Sequence, residues 1–310
     1  MCIRDRNCSS NSIGDNSNGN IIKESSINNR INNACNSNII GIGSENNVIN
    51  VSANSNIIGE YCKSIVISDN SNGNSTTNEC SNVIIGYYSD NNSIGDYCNS
   101  ITIGNNSSSN SIATSCTHVH IHNNCSGNEI QSYCNSININ SISSGNIIKN
   151  NCQSIYIYDN CNSNEIGINA NAITIHATGI FNLIGDFCKS IVIGDNSNSN
   201  QIAEECVSIT MGLNPLGNTI GATCTQIVLG SNNASTVIGS ACSNICTGTS
   251  CMSNNFDAGS LNIEVKSGVS GISSILEPMF ADYNKIIFKN LAAARLSYYD
   301  IDDQLIITDL

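Results

Sequence analysis

Two sets of residues in this chain are of a type that could do chemistry: seventeen cysteines and a run of alternating histidines, His118, His120 and His122. Alternate residues of a strand point to one face, so the three imidazoles would face out together, and such a pattern could hold a transition metal. The cysteines follow a rule. Cys62, Cys80, Cys98, Cys116, Cys134 and Cys152 recur every 18 residues, Ala170 takes the next place, and Cys188, Cys206, Cys224 and Cys242 continue. So many cysteines would ordinarily suggest a secreted disulfide scaffold. The fixed step argues otherwise. Cys8 falls on the same step, and Cys35, Cys125, Cys161 and Cys251 fall on a sister grid. Only Cys2 and Cys246 fall on neither. Successive members would stand about 4.8 Å apart on stacked strands, where a disulfide needs one particular dihedral. Ser26, Ser44 and Ala170 occupy the same slot, so it asks for a small, weakly polar filler, which a free thiol is. Reduced thiols are expected, as in a reducing cytoplasm.

An asparagine recurs on the same step without a gap: Asn20, Asn38, Asn56, Asn74, Asn92, Asn110, Asn128, Asn146, Asn164, Asn182, Asn200 and Asn218. No helix or ordinary sheet requires such a period. A stack of equal coils does, because each coil sets the same residue above its predecessor. A nine-residue grid of aliphatic residues lies inside the 18, from Ile58 through Ile94 and Ile103 to Ile238, with Thr76 its polar lapse. The two nonamers differ, one reading roughly I-G-x-x-C-x-S-I-x and the other I-G-x-N-S-x-x-N-x. Like residues stack on like only if a coil holds two nonamers. The expected fold is therefore all-β: a parallel β-solenoid, or β-roll, of 18 residues per coil, each coil two short strands and two turns.

Composition sets bounds. The chain of 310 residues carries a net charge of −13, with 5% aromatic and 11% charged residues. Such polarity often marks disorder, but the apolar residues here are periodic, so order is expected. The acidic balance and the lack of Lys/Arg runs argue against nucleic acid as a partner. No apolar run long enough for a membrane span occurs, and Met1 to Arg6 has no signal-peptide core. That opening sextet resembles a translated sequencing-adapter scar of metagenomic assemblies. Residues 1–6 are thus expected to be a non-native leader, with the true start missing.

Residues 7–254 carry the repeats. In the early coils Asn11, Asn29 and Asn47 stand where later coils have the first Ile of Ser-Ile-x-Ile. In residues 100–104, Ile101 and Ile103 point inward and Thr102 outward. Gly95, Gly104 and their equivalents (Gly185, Gly194, Gly221, Gly230 and Gly239) are expected to turn the chain out of the strand with positive φ. The asparagine ladder should sit at a bend, its amides bonding the next coil's backbone and one another. About 13 coils at 4.8 Å would make a rod of roughly 60–65 Å. Residues 255–310 break the period. Strands are expected at 261–266, 285–289 and 304–308, making a small β-rich cap that shields the last coil, joins copies or touches a target.

Four chemistries are weighed against this frame. For the histidines, the equivalent places one coil away are Ser100, Thr102 and Gly104 before and Ser136, Asn138 and Asn140 after, none a strong ligand, so a solvated face and no bound metal are expected. Calcium-binding β-rolls, which the nonamer period resembles, need an Asp in every turn. Here Asp15, Asp69, Asp159 and Asp195 recur only sporadically, with Asn105 or Asn123 in their place. Ice binding needs regular outward hydroxyls, although the Asn-x-Ile phrase loosely resembles plant ice-binding rolls. The outward slots Val66, Ile84, Thr102, His120, Asn138, Tyr156, Thr174, Val192, Thr210 and Val228 are irregular. No clustered carboxylates or long loops of the kind β-helical hydrolases use are visible. No catalytic residue, no cofactor and no enzyme are expected.

The phrase Asn-x-Ile-Gly-x-x-Cys-x-Ser, at 92–100 and 182–190, resembles the nonapeptide repeats of fibre or tail-associated proteins in phages and prophages of gut Bacteroidota. The likeness covers roughly residues 11–254. The segment from Val265 to Gly271 and the closing Thr308-Asp-Leu are similar to the caps that follow such repeats. This chain departs in using Ile for the family's Phe, which implies a narrower core. The Ser-Ile-x-Ile-Gly half also resembles trimeric adhesin heads, whose coils are shorter. The resemblance implies a structural rod of a virion fibre or tail appendage, made in the host cytoplasm. It would self-associate, as a trimer, and present its C-terminal module to a bacterial surface receptor or glycan. A bacterial surface adhesin and an ice- or ligand-binding solenoid are the alternatives.

Overall fold

The computed structural model describes residues 8–167 except Cys134 and Cys152, and beyond 167 it describes strand and bridge positions with a few neighbours. The chain divides into two compact units, Met1–Asn160 and Cys161–Leu310. Among the described residues there is no helix, hence none long and apolar enough to cross a membrane.

In the first unit every strand pairs in parallel with the strand 18 residues on. One sheet runs Ser12↔Arg30, Arg30↔Val48, Val48↔Val66, Val66↔Ile84, Ile84↔Thr102, Thr102↔His120, His120↔Asn138 and Asn138↔Tyr156. The other runs from Ile21↔Ile39 to Glu129↔Ile147 by the same step. No pairing joins neighbouring nonamers, so one coil is two nonamers, as their unlike sequences require. The second residue of each pair points in: Ile31, Ile40, Ile49, Ile58, Ile85, Ile94, Ile103 and their successors to Ile166 are buried. Period-2 alternation over two residues is all the coil needs to keep one side chain dry and the other wet.

Most strands are two residues long. Lys63–Ile67, Ser81–Ile85 and Asn99–Ile103 are five. The lengthening begins where the column Asn29, Asn47 becomes Ile65, Val83, Ile101, all of them buried. An Asn there spends its side chain on the backbone. An aliphatic residue there does not by itself lengthen the strand, since Val119, Ile137 and Ile155 are buried in the same column beside the two-residue strands His120–Ile121, Asn138–Ile139 and Tyr156–Ile157. At the junction the Ile65 N–H donates to Asn47 Oδ1 at 2.9 Å.

The second unit keeps the 18-residue offset, from Glu165↔Leu183 to Thr219↔Val237 in one sheet and from Thr174↔Val192 to Cys246↔Glu264 in the other. Strand Ile263–Val265 then pairs in parallel with Ile286–Phe288, with Ile263 opposite Ile286, so the repeat length changes between them. Ala294–Leu296, a strand the sequence does not suggest, pairs antiparallel with Ile307–Asp309.

The turns depart from expectation. Gly95 and Gly104 do not have positive φ. A Cβ at Gly95 would stand 2.7 Å from the Ala113 carbonyl carbon, and one at Gly104 only 2.5 Å from Asn123 Oδ1. These glycines serve close approach between coils. The left-handed positions lie elsewhere, two in every nonamer of the first unit, and Asn and Ser hold most of them, with Gly at 19, 43, 73, 127 and 145. Asn tolerates that region through local hydrogen bonds, whereas a β-branched residue is strained there. Ile142, exposed and at φ 63°, is such a residue.

The asparagine column carries the coil-to-coil contact. Asn110 Nδ2 donates to the Cys125 carbonyl at 2.9 Å and to Asn92 Oδ1 at 3.0 Å. Its own Oδ1 accepts from the Asn128 N–H at 3.1 Å and from Asn128 Nδ2 at 3.0 Å. The same four contacts recur at Asn38, Asn56, Asn74, Asn92 and Asn128. These side chains are essentially inaccessible, so removing one strands buried partners, each costing about 1–3 kcal/mol.

Two substitutions test this reading by the midpoint of chemical denaturation. Asn110→Ala is expected to cost about 3 kcal/mol or more, against about 0.5 kcal/mol or less for the exposed neighbour change Ser111→Ala. Equal effects would contradict the ladder's role. Ile142→Asn is expected to stabilise by about 1 kcal/mol by relieving the left-handed strain, and a loss of stability would contradict that.

Candidate functional site

The thiols occupy one well-defined slot. Cys62 Sγ donates to the Thr77 carbonyl at 2.9 Å, Cys80 to Gly95 at 2.8 Å, Cys98 to Ala113 at 2.9 Å and Cys116 to Gln131 at 3.0 Å. On the sister column the hydroxyls of Ser71, Ser89, Ser107 and Ser143 donate to the carbonyl fifteen residues on, at 2.6–2.7 Å. Cys35 and Cys125 do the same there. The slot is a donor position. Between residues 26 and 116 of the first column the donor and the residue three places on change together, whereas on the sister column Cys35 and Cys125 precede Asn38 and Asn128. Ser26 and Ser44 precede Asn29 and Asn47, whereas Cys62, Cys80, Cys98 and Cys116 precede Ile65, Val83, Ile101 and Val119. A thiol is the cheaper donor to bury among aliphatic side chains.

All described cysteines are free. Burial pushes the Cys35 and Cys125 thiols up. Cys80 is pushed up first by its contacts with the Cys62 and Cys98 thiols and then by burial. It stays protonated at neutral pH and is a poor nucleophile. Of the sequence-predicted ladder residues, Cys62, Cys80, Cys98 and Cys116 and Asn56, Asn74, Asn92, Asn110, Asn128, Asn146 and Asn164 take equivalent buried places. Cys134, Cys152, Cys188, Cys206, Cys224, Cys242, Asn182, Asn200 and Asn218 lie outside the described residues.

The acidic residues at the bends act as backbone caps. Asp69 Oδ1 accepts from the Val51 N–H, and Asn105 and Asn123 do the same for Tyr87 and Asn105. Either oxygen serves, which is why Asp and Asn alternate in this column without a rule. The ion pairs Lys63–Glu45, at 3.5 Å, and Lys23–Glu60, at 4.0 Å, are exposed and contribute little.

The three histidines differ in their backbone setting and exposure. His118 is exposed at a left-handed position, φ 55°. His120 lies exposed in the strand and His122 just beyond it, half-buried, and their rings stack with centroids 4.1 Å apart and planes 21° apart. Burial, then the neighbouring His122, pull the His120 pKa below the usual imidazole range. His122 Nε2 and Asn138 Oδ1 are buried without a hydrogen-bond partner. Asn138 is the register neighbour of His120 one coil on.

The exposed tyrosines were not singled out by the sequence. Tyr61, Tyr97 and Tyr133 share one left-handed column at two-coil intervals and are more than half exposed. The signal was there, since each precedes a ladder cysteine.

No family model matches this chain, and no curated protein does. Three solved structures show a resemblance. The polySia specific acetyltransferase NeuO is 15% identical, over 64% of this chain and 82% of its own, at a TM-score of 0.16. A putative acetyltransferase from Desulfovibrio desulfuricans G20 is 10% identical, over 82% and 68%, at 0.18. The UDP-N-acetylglucosamine acyltransferase from Campylobacter jejuni is 13% identical, over 86% and 69%, at 0.13. These matches correct the expectation that the chain is not an enzyme. They are acetyl- and acyltransferases by name, and a solenoid architecture by itself gives no ground for excluding catalysis. At these scores they assign no activity to this chain.

Burial and hydrogen bonding give the ladder a chemical test. In native protein, buried Cys62, Cys80, Cys98 and Cys116 are expected to resist iodoacetamide while half-exposed Cys8 reacts; the Cys116 and Cys80 thiols pull the Cys98 pKa down to about 4, so its resistance reports burial and not protonation. All should react after unfolding, as read by peptide mass mapping. Rapid native labelling of Cys98 would contradict the donor assignment.

Proposed function

We propose that the chain is the shaft of a phage fibre or tail appendage, presenting its C-terminal block to a bacterial surface. The observation that carries this reading is the asparagine relay, repeated coil after coil with the same four contacts. A structure held by contacts between like neighbours lengthens by copying its unit and stiffens along its axis, which is the mechanical demand on a shaft. The outward slots support a recognition surface away from the sheet faces, since Val66, Ile84, Thr102, His120, Asn138 and Tyr156 offer no repeated chemistry. Exposed Ile21, Ile57 and Ile84 are consistent with self-association as a trimer. The departure from the 18-residue offset after Val265 marks the C-terminal block as built differently from the shaft.

The experiment is removal of residues 255–310. Far-UV circular dichroism of the shortened chain is expected to keep its β signal, while oligomeric state and binding to a panel of gut Bacteroidota cells are lost. Unchanged oligomerisation and cell binding would end this reading.

A further inference from the structure

We infer that the bend carrying Tyr61, Tyr97 and Tyr133 is a binding strip for an extended, uncharged glycan of the β-1,4-linked class. The three rings are more than half exposed and share one column at two-coil intervals. Each sits at a left-handed position, with φ of 55°, 59° and 64°. A bulky residue is strained there, and an exposed ring recovers little by burial. Asn, Ser and Gly hold most such positions in this unit, so stability does not account for tyrosine. Strain kept without a stabilising return collects at functional sites. The Tyr61 ring lies against the preceding coil, where a Cβ on Gly43 would meet its Cδ1 at 2.6 Å. The coil thus supports the ring and leaves more than half of the residue in solvent.

Spacing argues for the occupant. Parallel strands stack about 4.8 Å apart, so tyrosines two coils apart stand about 9.6 Å apart. A tyrosine in every coil would bring the rings within stacking distance of one another. Glu79 and Ser115 take the intervening places, so each ring stays open to a ligand. In an extended β-1,4-linked chain successive sugars are turned over, and every second sugar presents the same face at about this repeat. A pyranose face carries C–H groups of partial positive charge, which complement the negative face of a phenol ring. Its hydroxyls need neutral hydrogen-bonding groups beside the ring. Asn99 and Asn135, two places after Tyr97 and Tyr133, are exposed. Their Oδ1 atoms accept from Asn82 and Ser100, and from Thr117 and Ser136, which leaves each Nδ2 to donate outward. Charge narrows the class further. Residues 77–82, 95–100, 113–118 and 131–136 hold Glu79 and Asp96 and no lysine or arginine. That disfavours acidic glycans by repulsion, and single-stranded nucleic acid, whose stacking on aromatic rings goes with a basic groove. The strip lies in the first unit. It does not rest on the shaft reading above, and either can fail without the other.

The test is calorimetric titration of the full-length chain with cello-oligosaccharides of increasing length up to cellohexaose, and with chitohexaose. Maltohexaose, whose α-1,4 links coil the chain, and a thymidine oligonucleotide are the controls. Affinity is expected to rise from the disaccharide, which reaches one ring, to the pentasaccharide, which reaches all three, and then to level off. Neither control should bind. Tyr61→Ser, Tyr97→Ser and Tyr133→Ser should each weaken cellohexaose or chitohexaose binding about three- to tenfold. Tyr88→Ser, at an exposed left-handed position of another column, should leave it unchanged. Serine already occupies the column at Ser115, and thermal melting checks that each variant folds. Should a variant unfold, the length dependence of the native chain decides alone. Several results would overturn the strip: no binding of either β-linked hexasaccharide at millimolar concentration, affinity independent of length, equal binding of maltohexaose, or tighter binding of the oligonucleotide. Binding indifferent to all three tyrosine substitutions, or lost in Tyr88→Ser, would overturn it as well.

Discussion

A buried amide must find partners, and in this chain the partners are always one coil away. A side chain at a given place donates to the carbonyl fifteen residues on, and its oxygen, where it has one, accepts from the amide eighteen residues on. Asn110 obeys this rule with both ends of its amide. Ser107 obeys it with a hydroxyl that donates to the His122 carbonyl and accepts from the Cys125 N–H. Cys98 obeys the donor half. The requirement fixes the repeat length, because an insertion of one residue would leave every donor of that coil facing the wrong atom. In a water-excluded interior such unmet groups cost more than a lost contact on the surface.

The rest of the first unit follows from that constraint. The aliphatic grid fills what space the amide and donor columns leave. Strands are two residues long where Asn occupies both columns and reach five at Ile65, Val83 and Ile101, but not at Val119, Ile137 and Ile155 of the same column. The thiol substitutes for serine as a small buried donor to the carbonyl fifteen residues on. Ala53 shows that the slot tolerates loss of a donor, whereas the asparagine column has no such gap anywhere between Asn20 and Asn218.

Much of this was legible in the sequence because stacking is translation. A residue that recurs at 18 must sit above itself, so the Cys and Asn columns, the two-nonamer coil and the inward Ile could be read from spacing alone. Features set within one coil were not legible. Positive φ was expected at Gly95 and Gly104, yet it falls on Asn, Ser and even Tyr97, since left-handed backbone is a property of the turn and several side chains accept it. The three histidines looked equivalent by alternation, but His118 sits at a left-handed turn, His120 is exposed in its strand and His122 is half-buried just beyond the strand's end. The absence of long loops speaks to architecture alone and does not exclude catalysis. The strand Ala294–Leu296 alternates over only three residues, too short a run to distinguish it in the sequence.

The account stands or falls on whether the asparagine side chains are locked between coils. Site-resolved hydrogen exchange on the side-chain amides reads this directly. The account predicts that the Nδ2 protons of Asn38, Asn56, Asn74, Asn92, Asn110 and Asn128 exchange as slowly as the backbone amides of the adjoining strands, while exposed asparagines exchange at once. If the column's Nδ2 protons exchange as fast as those on the surface, the relay does not hold the coils together.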